Sequence, residues 1–143
     1  MGLNRSKTKG RKDAPGGFAG IPRYVMDHPD YKSLSGNAVK ALMMLAYQYK
    51  GKGNGNLTAA WSIAQKHGFR SEPTLSRAIR ELMAKRLIIR TREGRFLNPG
   101  GQCALYALAW KPIDECPGKR LEVGPTTRPP RQFSIRDKQG NPL

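Results

Sequence analysis

The chain has 143 residues, 38% of them hydrophobic, with 26 Lys and Arg against 10 Asp and Glu, a formal net charge of +16. That length holds one domain with tails rather than two full domains, and the modest apolar content leaves part of the chain outside a core. Residues 1–23 hold six basic and one acidic group, residues 24–116 fourteen and seven, and residues 117–143 six and two; a positive excess spread so evenly is not an appended tail, and it points to a polyanionic partner.

Residues 1–20 mix Lys, Arg, Gly and Pro and read as a disordered basic arm. Residues 21–25 are expected to be extended, since Pro22 is barred from a helix interior. His-Pro-Asp-Tyr, residues 28–31, reads as a single turn before Leu34. Ser35 then caps a helix over 36–50, in which Val39, Leu42, Met43, Ala46 and Tyr49 recur as one apolar stripe. GKGNGN, residues 51–56, has the composition of a flexible polar loop.

Thr58 is the next capping candidate, opening a short helix over 59–67 with Ala60, Ile63 and Ala64 inward; Gly68 suits the position just past its end. Ser71 caps a third helix, with Pro73 in its first turn and Leu75, Ile79, Leu82 and Met83 as its buried stripe. Leu87-Ile88-Ile89 begins a strand that Arg90-Thr91-Arg92 continues. Residues 93–102 read as a turn-rich hairpin tip, and residues 103–110 alternate as the returning strand, with Cys103 a small buried hydrophobe. After Pro112 little regular structure is expected. TTRPPRQF, residues 126–133, is open between an extended arm on RNA or protein and an unstructured leftover.

The predicted class is mainly α with a small β-hairpin: three helices plus a two-stranded ribbon over residues 21–111. A basic arm (1–20) and a basic Pro/Gly-rich extension (112–143) flank it. The second and third helices, joined by a short turn containing Gly68, form a helix-turn-helix unit. With LSGNAVKALMMLA and LTAAWSIAQKHGFRSEPTLSRAIRELMAKRLI, the segment from Leu34 to Trp110 resembles winged helix-turn-helix DNA-binding domains, as in phage and plasmid replication proteins and small bacterial regulators. The likeness spans about half the chain and lies in an ordered set: a small-residue helix, a Gly-hydrophobic-x-Ser turn, and a Thr-hydrophobic-x-Arg-Ala-hydrophobic-x-x-Leu helix closing on Leu-Ile. Two features depart from the pattern. Lys85-Arg86 stand where the family often has Gly, and Trp61 is bulky for the second helix.

The resemblance implies a recognition helix over 72–86. With Leu75, Ile79 and Leu82 inward, Pro73, Thr74, Arg77, Arg80 and Ala84 face out, where such a helix reaches a major groove. Arg77 is the candidate for guanine, whose two acceptors match its fork. Arg70, Ser71, Thr74 and Ser76 suit phosphates near the helix start, and Arg90, Arg92 and Arg95 lie along the wing. The expected role is double-stranded DNA binding as a transcriptional regulator or replication accessory of a bacterium or mobile element. An RNA- or ribosome-binding protein of the same fold, an inhibitor of a host nucleoprotein complex, and a homodimer all stay open.

Other classes find little support in the residues. No stretch approaches the ~20 apolar residues of a spanning helix, and NRSKTKGRK lacks both an inserting face and a secretion core, so no membrane partner and a cytoplasmic, nucleoid-associated location are expected. Cys103 and Cys116 are too far apart for structural zinc, which needs four close ligands, and no metal or cofactor is expected. GKGNGN lacks phosphate-loop spacing and Asp114-Glu115 are adjacent rather than opposed, so no enzyme is expected. Tyr31, Tyr47, Tyr49, Trp61 and Trp110 read as packing residues. Phe96, at the wing tip, either wedges into a groove or folds back on Trp110.

Overall fold

The structure, a computed structural model, describes residues 15–95 and 101–133. The expectations for most of the basic arm, for Phe96 and for the last ten residues lie outside the described residues. The elements are α1 (Arg23–Met26), α2 (Pro29–Lys32), α3 (Gly36–Gln48), β1 (Leu57–Thr58), α4 (Trp61–Lys66), α5 (Glu72–Ala84), β2 (Ile88–Arg92) and β3 (Leu105–Leu108). The strands form one antiparallel sheet in the order β1-β3-β2, making a mixed α+β domain. No described helix is long and apolar enough to cross a membrane.

The two long helices start where hydroxyls satisfy N–H groups that have no partner within the helix. Ser35 Oγ accepts from Ala38 N–H at 3.2 Å, and Ser71 Oγ from Thr74 N–H at 3.3 Å. α3 buries Ala38, Ala41, Leu42 and Leu45 together with Met44 and Ala46, whereas Met43 is exposed and Val39 half-buried. That corrects the expected stripe. The helix is apolar on most of its circumference, so the contact with α5, not periodicity, decides which face turns inward.

Residues 21–25 are not wholly extended. Pro22 stands as the N-cap of α1, where its missing N–H costs nothing. α2 follows immediately, with His28 Nδ1 accepting from Asp30 N–H at 3.0 Å. α4 begins at Trp61 rather than Ala59, and its N-cap, Ala60, makes no side-chain cap. Thr58 belongs instead to β1, paired with Leu105. Gln48 fastens that short strand to α3: its side chain donates to Thr58 O and accepts from Thr58 N–H, both at 2.8 Å. The sheet therefore has three strands, not two.

α4 and α5 end alike. Gly68 (φ +95°) donates to Gln65 O and Phe69 to Ala64 O, at 3.1 and 3.0 Å. Arg86 (φ +59°) donates to Met83 O and Leu87 to Leu82 O, both at 3.0 Å. Both are six-residue Schellman closures, so Arg86 takes a glycine's place without changing the exit.

In the β2–β3 hairpin, Ile88, Ile89 and Arg90 pair with Leu108, Ala107 and Tyr106, and a bulge at Thr91 brings Arg92 opposite Leu105. The bulge buries Thr91 completely, and its hydroxyl donates to Gly55 O at 2.6 Å. Beyond it, Arg95 and Gln102 exchange backbone hydrogen bonds of 2.9 Å. Cys103, expected inside, is exposed: it precedes β3, where the chain is no longer covered by the core. Tyr47 is also exposed, its ring edge-on to His67, while Trp61 is half-buried against the core and Trp110 buried.

The loop 51–56 is tightly held at its centre. Asn54 is fully buried; its Oδ1 accepts from Leu108 N–H at 2.8 Å, and its Nδ2 donates to Leu108 O, Lys111 O and Pro112 O at 3.0–3.1 Å. Residues 112–133 contain no helix or strand, as expected, yet they pack on the domain. Ile113 and Phe133 are buried, Glu122 N–H donates to Thr91 O at 2.7 Å, and Arg131 N–H donates to Ala109 O at 3.1 Å. TTRPPRQF is thus a strap on the domain rather than a loose arm.

Candidate nucleic-acid interface

The amphipathic pattern of α5 turns Leu75, Ile79 and Leu82 inward and leaves Pro73, Arg77, Arg80 and Ala84 exposed, as expected from the sequence; Ala78 is buried with them, Ser76 is exposed, and Thr74 and Met83, expected outside and inside, are both half-buried. The acid in its last turn, Glu81, is drawn elsewhere. Glu81 accepts from Ser35 N–H at 2.8 Å and from Ser35 Oγ at 2.7 Å, tying α5 to the start of α3. These bonds, chiefly the backbone one, hold the carboxyl below its ordinary pKa. The acid is therefore ionised but turned to α3 and solvated by donors there.

At the start of α5, Ser71 Oγ receives both Thr74 N–H and the Thr74 hydroxyl at 3.3 Å, and Thr74 Oγ1 in turn accepts from Arg77 Nη2 at 3.5 Å. Ser71 and Thr74 are thus first of all a capping network. Arg77 makes only that one long bond among the described residues, and Arg70 and Arg80 are exposed.

The hairpin arginines divide. Arg90 lies on the sheet face that packs on α5, with Nη2 3.8 Å from Met83 Sδ. Arg92 is largely engaged: Nε and Nη2 donate to Cys103 O at 3.1 and 2.6 Å, and Nη1 donates to Lys119 O at 2.9 Å. A guanidinium so placed fastens the C-terminal segment to the hairpin, and few donors remain for a phosphate. Arg95 is exposed, in a 3.7 Å surface pair with Glu122 that solvent screens strongly.

Two depressions lie between α5 and the hairpin. The smaller, about 250 Å³, is lined by Leu75, Ser76, Ile79, Arg80, Arg90 and Tyr106 among others. The larger, about 410 Å³, is lined by Ser76, Gly94, Arg95, Gln102, Ala104 and Tyr106 among others. Shared residues make them one groove, and four of the predicted residues, Ser76, Arg80, Arg90 and Arg95, border it. Arg77 lies one turn before Arg80 on the exposed side of α5, and Arg70, Ser71 and Thr74 lie at or just before its start. Arg92 is the one the fold takes out of the group.

Sequence reasoning missed Tyr106, read only as half of an alternating pattern. Its position opposite Arg90 depends on the register of a bulged hairpin, and no local signal carries that. The surface as a whole offers hydrogen-bond donors, mostly positively charged, and no carboxylate lines either depression among the described residues. Such a surface can bind phosphates and base acceptors. Comparison with protein-family models, curated proteins and solved structures finds no match to this chain.

Proposed function

We propose that the chain binds double-stranded DNA as a winged helix-turn-helix protein, with α5 in the major groove and the β2–β3 hairpin as the wing. In this reading it acts as a transcriptional regulator or replication accessory of a bacterium or mobile element. The observation that carries the reading is the donor surface itself. Arg77 and Arg80 stand on the exposed face of a well-capped helix, Arg90 and Arg95 line the groove that Arg80 borders, and Glu81 is held on Ser35. Cations so arranged displace the counterions of a duplex, and the Arg77 fork matches the acceptors of guanine. The C-terminal segment, fastened through Arg92 and Arg131, keeps the hairpin and helix in one frame.

The test is binding of labelled duplex DNA, duplex RNA and single strands across a salt series, for wild type, Arg77→Ala and Arg80→Ala. Arg77→Ala is expected to cost about 1–3 kcal/mol on a preferred duplex and to relax its preference at one position. Arg80→Ala is expected to weaken all duplexes alike and lower the salt slope by about one. Duplex RNA bound as well as DNA, with Arg77 irrelevant, would replace the reading with an RNA- or ribosome-binding role. A host-protein complex that survives Arg77→Ala would replace it with an inhibitor.

A further inference from the structure

Tyr106 stands opposite Arg90 across the β2–β3 pair, and it lines both depressions of the groove. The residue is only 6% exposed, and its hydroxyl has no hydrogen-bond partner among the described residues. A phenylalanine ring would fill the same space, so packing alone does not account for the oxygen. Burial pushes the phenol's pKa up, with the nearby Arg90 charge opposing it. The group is therefore an O–H donor at neutral pH rather than an anion.

What surrounds that donor is matched to an anion. Arg80 and Arg90 line the same depression, Ser76 adds a hydroxyl, and Arg95 borders the adjoining space. Leu75 and Ile79, with Ala59 and Ala104 beyond them, give the groove apolar walls. Guanidinium groups with apolar walls beside them suit a phosphodiester and its deoxyribose, the charges donating to phosphate oxygens while the walls pack on the sugar. We infer that this groove seats the sugar–phosphate backbone of one DNA strand, with a phosphate between Arg80 and Arg90 and the Tyr106 hydroxyl donating to it. The inference rests on the DNA-binding reading above and adds to it a neutral donor and a fixed position for the backbone.

Tyr106→Phe removes one oxygen and keeps the ring. Its binding, and that of wild type and Arg80→Ala, is measured by fluorescence anisotropy on two unrelated duplexes, one A·T-rich and one G·C-rich, across a salt series. Melting temperatures are measured alongside. Tyr106→Phe is expected to bind both duplexes about tenfold more weakly, the loss of one hydrogen bond to a charged group. Its salt slope stays at the wild-type value, because a neutral phenol releases no counterion, whereas Arg80→Ala lowers the slope by about one. Its melting temperature is expected at or above that of wild type.

If wild type binds duplex DNA and Tyr106→Phe binds equally well, the seat is overturned and the DNA-binding reading stands. A loss confined to one duplex makes the hydroxyl a base reader and overturns the phosphate assignment. A clearly lowered melting temperature shows that the hydroxyl has a partner within the fold and overturns the proposal on that ground. Wild type that binds no duplex overturns both.

Discussion

Arg131 is the perturbation that tests whether the C-terminal segment belongs to the folded domain. Its Nη1 donates to Lys85 O at 2.8 Å and Arg86 O at 3.1 Å, capping α5 from outside the helix. Its Nη2 meets Asp30 Oδ2 at 2.6 Å, and its guanidinium lies 4.4 Å from the centre of the buried Phe133 ring. The Arg131 side chain is 12% exposed and that of Asp30 34%. Solvent screening at Asp30 holds the ion pair to about 1 kcal/mol. The two carbonyl contacts at a helix C-terminus contribute about another 1 kcal/mol, and the stacking about 0.5–1 kcal/mol. Arg131→Ala should therefore lose about 2–3 kcal/mol in urea unfolding followed by circular dichroism at neutral pH. Arg131→Lys should not restore it, because one ammonium cannot span two carbonyls and a carboxylate. A double-mutant cycle with Asp30→Asn should show coupling of about 0.5–1 kcal/mol. A loss below about 0.5 kcal/mol for Arg131→Ala, which is within the range of ordinary surface substitutions, would refute the view that the strap is integral to the domain.

Three further outcomes follow from the same geometry. Asn54→Ala removes one acceptor and the donors to three carbonyls from a fully buried site; the expected loss is about 3 kcal/mol or more, read from the urea midpoint. Arg86→Gly relieves a left-handed residue at the end of α5 and should stabilise by about 0.5–1 kcal/mol once glycine's extra unfolded-state entropy is subtracted; an unchanged or lowered melting temperature would count against backbone strain there. His28 has its pKa lowered, first by burial and then by the Arg131 charge, with Asp30 opposing. A neutral ring has one lone pair to accept from Asp30 N–H or from Arg131 Nη2, 3.3 Å away; a protonated ring has none. With the folded pKa below the unfolded one, the unfolded state binds the proton first, so stability falls as pH drops below about 6.5 towards the folded value. His28→Asn should flatten that stretch of the stability–pH curve measured by urea unfolding. The Asp30 carboxyl is pushed up by burial, but the Arg131 bond and charge outweigh this and hold it below its ordinary value. Its contribution should survive the same pH range and be lost only on further acidification, as pH falls through the carboxylate range.

Features whose hydrogen bonds close within a few residues are legible in the amino-acid order alone. Ser35 and Ser71 begin α3 and α5, Gly68 ends the turn after α4, and the period of Leu75, Ile79 and Leu82 places Arg77 and Arg80 on the exposed side. Each signal is local, because a cap reaches three residues and a helical stripe repeats every three or four. Tertiary structure decided what depends on a partner distant in the chain. Leu57 and Thr58 become a strand only because β3 offers its edge, and two residues are too few to show alternation. The inward face of α3 is chosen by α5, since the helix is apolar nearly all round. One extra residue at Thr91 re-aims Arg92 from a prospective phosphate to the Cys103 and Lys119 carbonyls. That same register sets Tyr106 opposite Arg90. Arg131, within a Pro-rich stretch that composition reads as loose, is held by acceptors on α2 and at the end of α5. Register and long-range acceptors are properties of the assembled fold, and composition and periodicity carry no record of either.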